Sequence, residues 1–365
     1  MRRILDSKDR PRVGFVGMGW IGMNRFAALQ QQNLVELLGV VEPDKDQREA
    51  TRAKFEAVSF YRSIQQLLAL KLDGVVIATP SALHAQHALQ ALDAGVSVFC
   101  QKPLANNVDD VSAIIETAQL QNRLLGVDFS YRELKASRLL RKMLRSGSIG
   151  KLFAVEGTFH NAYGPDKAWY YQPKQSGGGC LIDLGIHLVD LVLWANDFPS
   201  VQDVSSRLFS GGEELHTPPA KNEDFAVLNM RLAEGCEVHL QSSWNASAGC
   251  DAEIRLVFWG SQGALVLKNV AGSFYDFELK HCVGTSQTTL VEPPDDWGGR
   301  AICRWASQLA SSPAFHPSAY RYFNSSEIIA KAYGVRGRIS PESKAKFPHD
   351  QLTEIQRDGT YAERI

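Results

Sequence analysis

The 365-residue chain sets 39 Lys plus Arg against 40 Asp plus Glu, so no global field draws it to nucleic acid or to an anionic membrane, and a small molecule is the expected partner. Its length is more than one ordinary domain needs and predicts two. Six cysteines without a C-x-x-C pair argue against a zinc site or a disulfide framework. With no uninterrupted apolar run of roughly 18 residues, and a charged start (MRRILDSKDRPRVGF), the protein is expected to be soluble and cytoplasmic.

The first third alternates short apolar runs with stretches of helical spacing. RVGFVGMGWIGMNRFAALQQQ reads as strand, glycine turn and helix. LVELLGVVE, DGVVIATP, VSVFC and RLLGVDFS read as further strands, with helices such as SALHAQHALQALDAG between them. That order implies an α/β domain with a doubly wound parallel sheet over residues 1–130. Gly17, Gly19 and Gly22 form G-x-G-x-x-G between the first strand and its helix, and Glu42 ends the second strand, which is the context a Rossmann dinucleotide site requires. The turn, with Trp20 and Ile21 inside it, would let a pyrophosphate approach the backbone, while Glu42 would accept hydrogen bonds from the adenosine ribose. An acid at position 42 with no basic residue directly after it favours NAD over NADP.

VFCQKPLANN closes a later strand with Lys102 at the carboxyl edge of the sheet and Pro103 fixing the chain beside it; a solvated surface lysine is the alternative. After the strand-like KLFAVEGTFH, the loop NAYGPDKAWYYQPKQ carries Tyr163, Trp169, Tyr170 and Tyr171. Their rings suit the C–H faces of sugars or cyclitols, or else pin the loop to the core, and Lys167 or Lys174 could read an acidic group.

SGGGCLIDLGIHLVDLVLW then sets Asp183, His187 and Asp190 at spacings of four and three, on one face of an apolar helix. Burying such groups without partners is costly, so the stripe calls for a use. No metal is expected, because no H-E-x-x-H or cysteine cluster supplies the further ligands. FAVLNMRLA, CEVHLQSSWNA, AEIRLVFWG, GALVLKN and SFYDFELK read as strands of a large, mostly antiparallel open sheet. Helical stretches near 300–311 and 320–333 are expected to close this second domain, 131–340, before a charged tail at 341–365. A broad open face needs cover, which self-association would supply.

GFVGMGWIG, ATPSALHAQHALQALDAGVSVFCQKPLA and SGGGCLIDLGIHLVDLVLW, in this order and spacing, resemble the Gfo/Idh/MocA oxidoreductases, the glucose-fructose oxidoreductase and inositol dehydrogenase family. The resemblance implies a Rossmann domain followed by an α/β domain whose large sheet mediates homodimers or homotetramers. The family's E-K-P corresponds to Gln101, Lys102 and Pro103, and its D-x-G-x-H to Asp183, Gly185 and His187, so Lys102, Asp183 and His187 are the implied catalytic set.

The resemblance also implies a cis Lys102–Pro103 bond and places Gln101 at the cofactor, where it lacks the charge of the family's glutamate. Thr79, Pro80 and His84 fall in a T-P-S turn beside the cofactor, although His84 and His87 also read as surface or capping histidines. Tyr131 and Arg132 occupy a position that borders the substrate, and Asp190 reads as support for the site or as a helix–helix hydrogen bond.

The implied reaction is hydride transfer between NAD and a secondary alcohol of a sugar, sugar acid or cyclitol. His187 would move the hydroxyl proton, Lys102 would stabilise the oxygen and Asp183 would hold the substrate hydroxyl or the lysine in place. An NAD-dependent glycosidase with transient ring oxidation and a non-enzymatic nucleotide-sensing regulator share the scaffold; the retained Lys102, Asp183 and His187 argue against the regulator.

Overall fold

A computed structural model describes residues 10–55 and 58–335, so the tail expected at 341–365 lies outside the described residues. The N-terminal part of the fold runs β1 (Arg12–Val16), α1 (Trp20–Gln32), β2 (Glu36–Val41), α2 (Lys45–Lys54), β3 (Phe60–Tyr61), α3 (Ile64–Leu68), β4 (Gly74–Ile77), α4 (His84–Asp93), β5 (Ser97–Cys100), α5 (Val108–Leu120) and β6 (Leu125–Val127). These strands pair in parallel in the order β3-β2-β1-β4-β5-β6. β4 and β5 are buried along their whole length, which is why they read as continuous apolar runs rather than alternating ones. β3, two residues long, gave no such run.

The rest comprises α6 (Lys135–Arg145), β7 (Leu152–Asn161), α7 (Pro173–Ser176), α8 (Ile186–Ala195), β8 (Val201–Ser210), β9 (Glu213–Leu215), β10 (Phe225–Leu232), β11 (Glu237–Ser243), β12 (Ala252–Gly260), β13 (Gly263–Asn269), β14 (Phe277–Val283), β15 (Ser286–Val291), α9 (Arg300–Ser311) and α10 (Arg321–Ala332). Its nine strands lie in the order β15-β14-β13-β12-β7-β11-β10-β8-β9, antiparallel except where β7 meets β11. Val155, Val238 and Ile254 turn inward while their neighbours Glu156, His239 and Glu253 stay exposed, the alternation of a sheet with one buried face. β8, β9 and β15 were not expected from the sequence, being short or rich in polar residues.

Helix α9 departs from its expected place. It packs on the parallel sheet, with Trp305 against Phe99 at 5.6 Å between ring centroids. A Cβ at Gly74 or Gly126 would come within 2.6 or 2.8 Å of the Trp305 ring, so these strand glycines form the socket that takes it. α10 packs against α5, α8 and β8, tying the two sheets together.

The segment Pro173–Ala195 is, by length and composition, apolar enough to cross a membrane, with a mean hydropathy of 1.6. This corrects the expectation that no stretch reaches that length: an average over a window tolerates the charges that interrupt a run. Buried for 78% of that window, the segment is a core element.

Candidate active site

A cleft of about 1310 Å³ runs from the glycine turn, past the carboxyl ends of β4 and β5, to the head of α8. Ligands bind at that edge of an open α/β sheet, and the volume exceeds what a single drug-sized molecule fills.

The three glycines of the turn have different reasons. Gly17 sits at φ +93°, and a Cβ there would lie 2.5 Å from the Ala78 carbonyl oxygen; at Gly22 it would lie 2.3 Å from the Gly17 carbonyl oxygen. Both are required by strand–helix packing. At Gly19 a Cβ would meet nothing within 4 Å, and α1 begins there with no side-chain cap. The first N–H groups of α1 and the open space over Gly19 fit a dinucleotide pyrophosphate.

Glu42 lies in the cleft wall with its carboxylate accepting from the Met18 N–H at 2.7 Å and the Asp44 N–H at 2.9 Å. It staples the glycine turn to the end of β2 and keeps lone pairs for a ribose hydroxyl. Because Val41 pairs with Tyr61, the next residue along, Arg62, emerges beside Glu42 and lines the cleft, a basic neighbour that the unread β3 concealed. Trp20, Ile21, Thr79 and Pro80 line the same wall.

His84 lines the cleft wall beside Thr79 and Pro80 and also acts as a strut. Both ring nitrogens face backbone carbonyls, Nδ1 that of Pro103 at 2.7 Å and Nε2 that of Thr79 at 2.8 Å. Burial holds its pKa below the ordinary value, with the two carbonyls pulling the other way.

Lys102 leaves the end of β5 through a cis bond to Pro103, as the resemblance implied. Its Nζ donates to Asp183 twice, to Oδ1 and to the backbone oxygen, each at 2.7 Å. Asp183 Oδ2 accepts from the indole N–H of Trp244 at 2.9 Å, so both carboxylate oxygens are held. His187 shares the cleft. Its Nδ1 is sealed from water without a partner, and the residue also borders a void of about 10 Å³ shared with Tyr131, Phe159 and Arg255. Burial, helped by the positive charges of Lys102 and Arg25, holds its pKa well below the ordinary value, so the ring is neutral near pH 7.

Asp190 does not join this pair, and of the two readings the sequence allowed it takes the helix–helix hydrogen bond. Residues Leu181–Gly185 form a π-helical turn, with the Ile186 N–H reaching the Leu181 carbonyl five residues back. That turn holds Asp183, whereas His187 and Asp190 both belong to the regular helix α8, one turn apart. Asp190 instead faces Arg132, bonded at 2.7 and 2.5 Å, and Ser325 of α10 at 3.2 Å. Arg132 is thereby corrected: its guanidinium lies over Phe129, Phe198 and Tyr322, and is absent from the cleft wall.

Tyr163, 54% exposed, also lies outside the cleft; the loop after β7 folds back through a Tyr171 hydroxyl bonded to the Pro165 carbonyl at 3.0 Å. Trp169 does line the cleft, stacked on Tyr170 at 3.8 Å, and Tyr131 stands edge-on to His187 at 4.9 Å. Lys167 is paired with Asp166 at 3.3 Å.

Trp244, Glu223 and Asp128 belong to the site's framework although no motif marks them. Glu223 accepts from the N–H groups of Gly179 at 3.1 Å and Leu181 at 2.8 Å and from the Tyr333 hydroxyl at 2.8 Å, capping the turn that carries Asp183. Trp and Glu contacts across some 40 to 60 residues of chain become visible only once the sheets are assembled. Among the described residues no group of three or more His, Cys, Asp or Glu is arranged to hold a metal ion, and all six cysteines are free thiols.

Residues 11–129 match the oxidoreductase family with an NAD-binding Rossmann fold, and residues 137–266 match the GFO/IDH/MocA C-terminal domain. The chain belongs to the Gfo/Idh/MocA family. Members similar to it include a D-glucoside 3-dehydrogenase of Escherichia coli (strain K12), 30% identical over 54% of this chain and 57% of that protein. A glucose-6-phosphate 3-dehydrogenase of Bacillus subtilis (strain 168) is 24% identical over 91% of this chain and 98% of that protein. Among solved structures, levoglucosan dehydrogenase in complex with NADH and levoglucosan superposes with a TM-score of 0.76 at 19% identity, covering 91% of this chain and 98% of the other. Membership makes the chain an NAD-binding oxidoreductase, and the two matched segments carry the parallel sheet and much of the nine-stranded one.

Proposed function

We propose that this Gfo/Idh/MocA oxidoreductase transfers hydride between NAD(H) and a secondary alcohol of a sugar, sugar acid or cyclitol, with Lys102, Asp183 and His187 as its catalytic residues. The observation that carries the reading is the Lys102–Asp183 pair at 2.7 Å in one cleft with a neutral His187 and an open glycine turn. The sugar substrates named for the relatives agree with it.

Bound NAD supplies the hydride acceptor. The chain's own residues do the rest. Neutral His187 takes the proton of the reacting hydroxyl through Nε2, and returns it in reduction. The Lys102 ammonium hydrogen-bonds the same oxygen and stabilises alkoxide character. Asp183, fixed by Trp244, holds the lysine in position. Trp169 and Tyr170 offer stacked rings to the apolar face of a sugar. Glu42 repels a 2′-phosphate and favours NAD, an effect that its neighbour Arg62 weakens. The exposed side of the nine-stranded sheet is the surface for a homodimer or homotetramer in the cytoplasm; a monomer in light scattering would remove that assignment.

The test is near-ultraviolet absorbance of the reduced nicotinamide while protein and NAD meet a panel of inositols, aldoses, glycosides, sugar acids and polyols, with Lys102→Met as control. Signal growth in the wild type alone, with NADH binding retained by Lys102→Met, is expected. A flat trace across the panel from protein that binds NADH would overturn the dehydrogenase reading, and turnover by Lys102→Met would remove the lysine from the mechanism.

A further inference from the structure

Beside the reacting groups lies a second buried cluster that hydride transfer leaves unexplained. β5 and β6 pair Cys100 with Val127, so the next residues, Gln101 and Asp128, emerge side by side at the carboxyl edge of the sheet. Gln101 Nε2 donates to Asp128 Oδ2 at 2.6 Å. The same oxygen accepts from Arg25 Nε, reaching across from α1, at 2.5 Å. All three residues line the cleft and all three are buried, while Asp128 Oδ1 has no partner.

The chemistry of an amide settles its orientation here. Only the NH₂ end can face a carboxylate, so the carbonyl Oε1 of Gln101 is turned to the opposite side as a pure acceptor. A glutamate at 101 would instead set two carboxylates against each other in a dry site, where like charges strongly disfavour joint ionisation. The negative charge of this pair therefore sits one strand away from Lys102's own strand, held by Arg25.

We infer that Arg25 and Asp128 are positioning residues that lock Gln101 as a neutral hydrogen-bond acceptor for a hydroxyl on the nicotinamide half of the cofactor. Gln101 is the residue directly before Lys102, which puts its acceptor at the hydride-transfer end of the cleft rather than at Glu42's end. Positions 101 and 128 then form one unit that tolerates one carboxylate, and neither two nor none. The inference rests on NAD binding in this cleft but not on the identity of the alcohol substrate.

The experiment compares wild type, Gln101→Glu, Asp128→Asn, the double variant Gln101→Glu/Asp128→Asn, and Gln101→Met. NADH affinity is read by fluorescence titration without substrate, and folding by thermal melting. Each carboxylate-altering single variant should weaken NADH binding by about tenfold, and the double variant should return to within about threefold of wild type, because contacting residues couple rather than add. Gln101→Met, similar in length but with neither donor nor acceptor, should lose affinity by about tenfold while melting near wild type. Losses that simply add in the double variant, or a folded Gln101→Met that binds NADH like wild type, would overturn the inference. Since no substrate is present, a failed sugar panel leaves this result untouched, and a failed rescue leaves the dehydrogenase reading untouched.

Discussion

Two glycine clusters flank the cleft, and they look alike in sequence but obey different constraints. At Gly177, Gly178 and Gly179 the protein itself fills the space a side chain would occupy: a Cβ would lie 2.8 Å from Asn106, 2.3 Å from the Tyr333 hydroxyl and 1.9 Å from the Glu223 carbonyl oxygen, respectively. At Gly19 nothing stands within 4 Å, although its neighbours Gly17 and Gly22 are as tightly enclosed as the second cluster. A glycine run marks a close approach, and only the fold says what approaches. Around 177–179 it is another part of the chain, which seats the turn carrying Asp183; over Gly19 the space is left for a ligand.

That contrast is broken most severely at Gly179. Gly179→Ala drives a methyl into the backbone of Glu223, whose carbonyl also accepts from the Cys180 N–H at 3.1 Å, so neither side can yield cheaply. A stability loss of about 3 kcal/mol or more is expected in denaturant unfolding. Activity should fall with it, because the turn and Asp183 move together. Stability close to wild type would mean that the turn is not seated by this contact.

Gly19→Ala should separate binding from folding. Its φ of −59° and ψ of −175° suit an alanine, and the space is open, so the melting temperature should stay near wild type. NADH affinity should drop by about 10- to 100-fold, the cost of overpacking an intimate contact. Unchanged affinity in a fluorescence titration would show that the pyrophosphate does not pass over Gly19.

Legibility in the sequence divides along the same line between local and distant. The parallel strands other than β3, the glycine turn, Lys102 and the Asp183–His187 pair each belong to one short segment whose pattern or spacing is self-contained. Asp190 makes the helix–helix hydrogen bond read for it, to Ser325 of α10, and Arg132 misled because its pairing with Asp190 holds the guanidinium away from the cleft, a contact between distant segments. Tyr163 and Trp169 share a loop and a composition, yet only the second faces the cleft, a distinction set by how Tyr171 folds the loop back. The partners of the reacting groups, Trp244 for Asp183 and Asp128 for Gln101, arrive from other strands and carry no local signature.

Trp244 tests one of those distant partners. Trp244→Phe keeps most of the buried ring, which Tyr170 and Tyr171 meet edge-on at 6.2 and 5.5 Å, but removes the N–H that holds Asp183 Oδ2. A hydrogen bond to a carboxylate contributes about 1.5–3 kcal/mol, so kcat should fall by about tenfold or somewhat more as Lys102 loses its fixed partner. NADH affinity should not change, since Trp244 is absent from the cleft wall. A fall in affinity with kcat intact would reassign the tryptophan to the cofactor.

The smallest effect, and the one that bears directly on His187, is the acid limb of the pH profile. Oxidation requires the neutral ring, and burial together with Lys102 and Arg25 lowers the pKa of His187 well below its ordinary value. Protonation therefore sets in only at pH values below about 6.5, the ordinary histidine value, and kcat/KM for oxidation should show no histidine limb from there up to about pH 8. Removing a buried positive neighbour should move the limb upward: a variant without the Arg25 charge leaves one fewer cation opposing the imidazolium, so its acid limb should lie closer to 6.5 than that of the wild type. The shift has a definite sign because desolvation and both cations act in the same direction on His187. A wild-type limb at or above about 6.5 would mean that His187 is hydrated in the working enzyme, and that the dry, unpartnered Nδ1 is not its state during turnover.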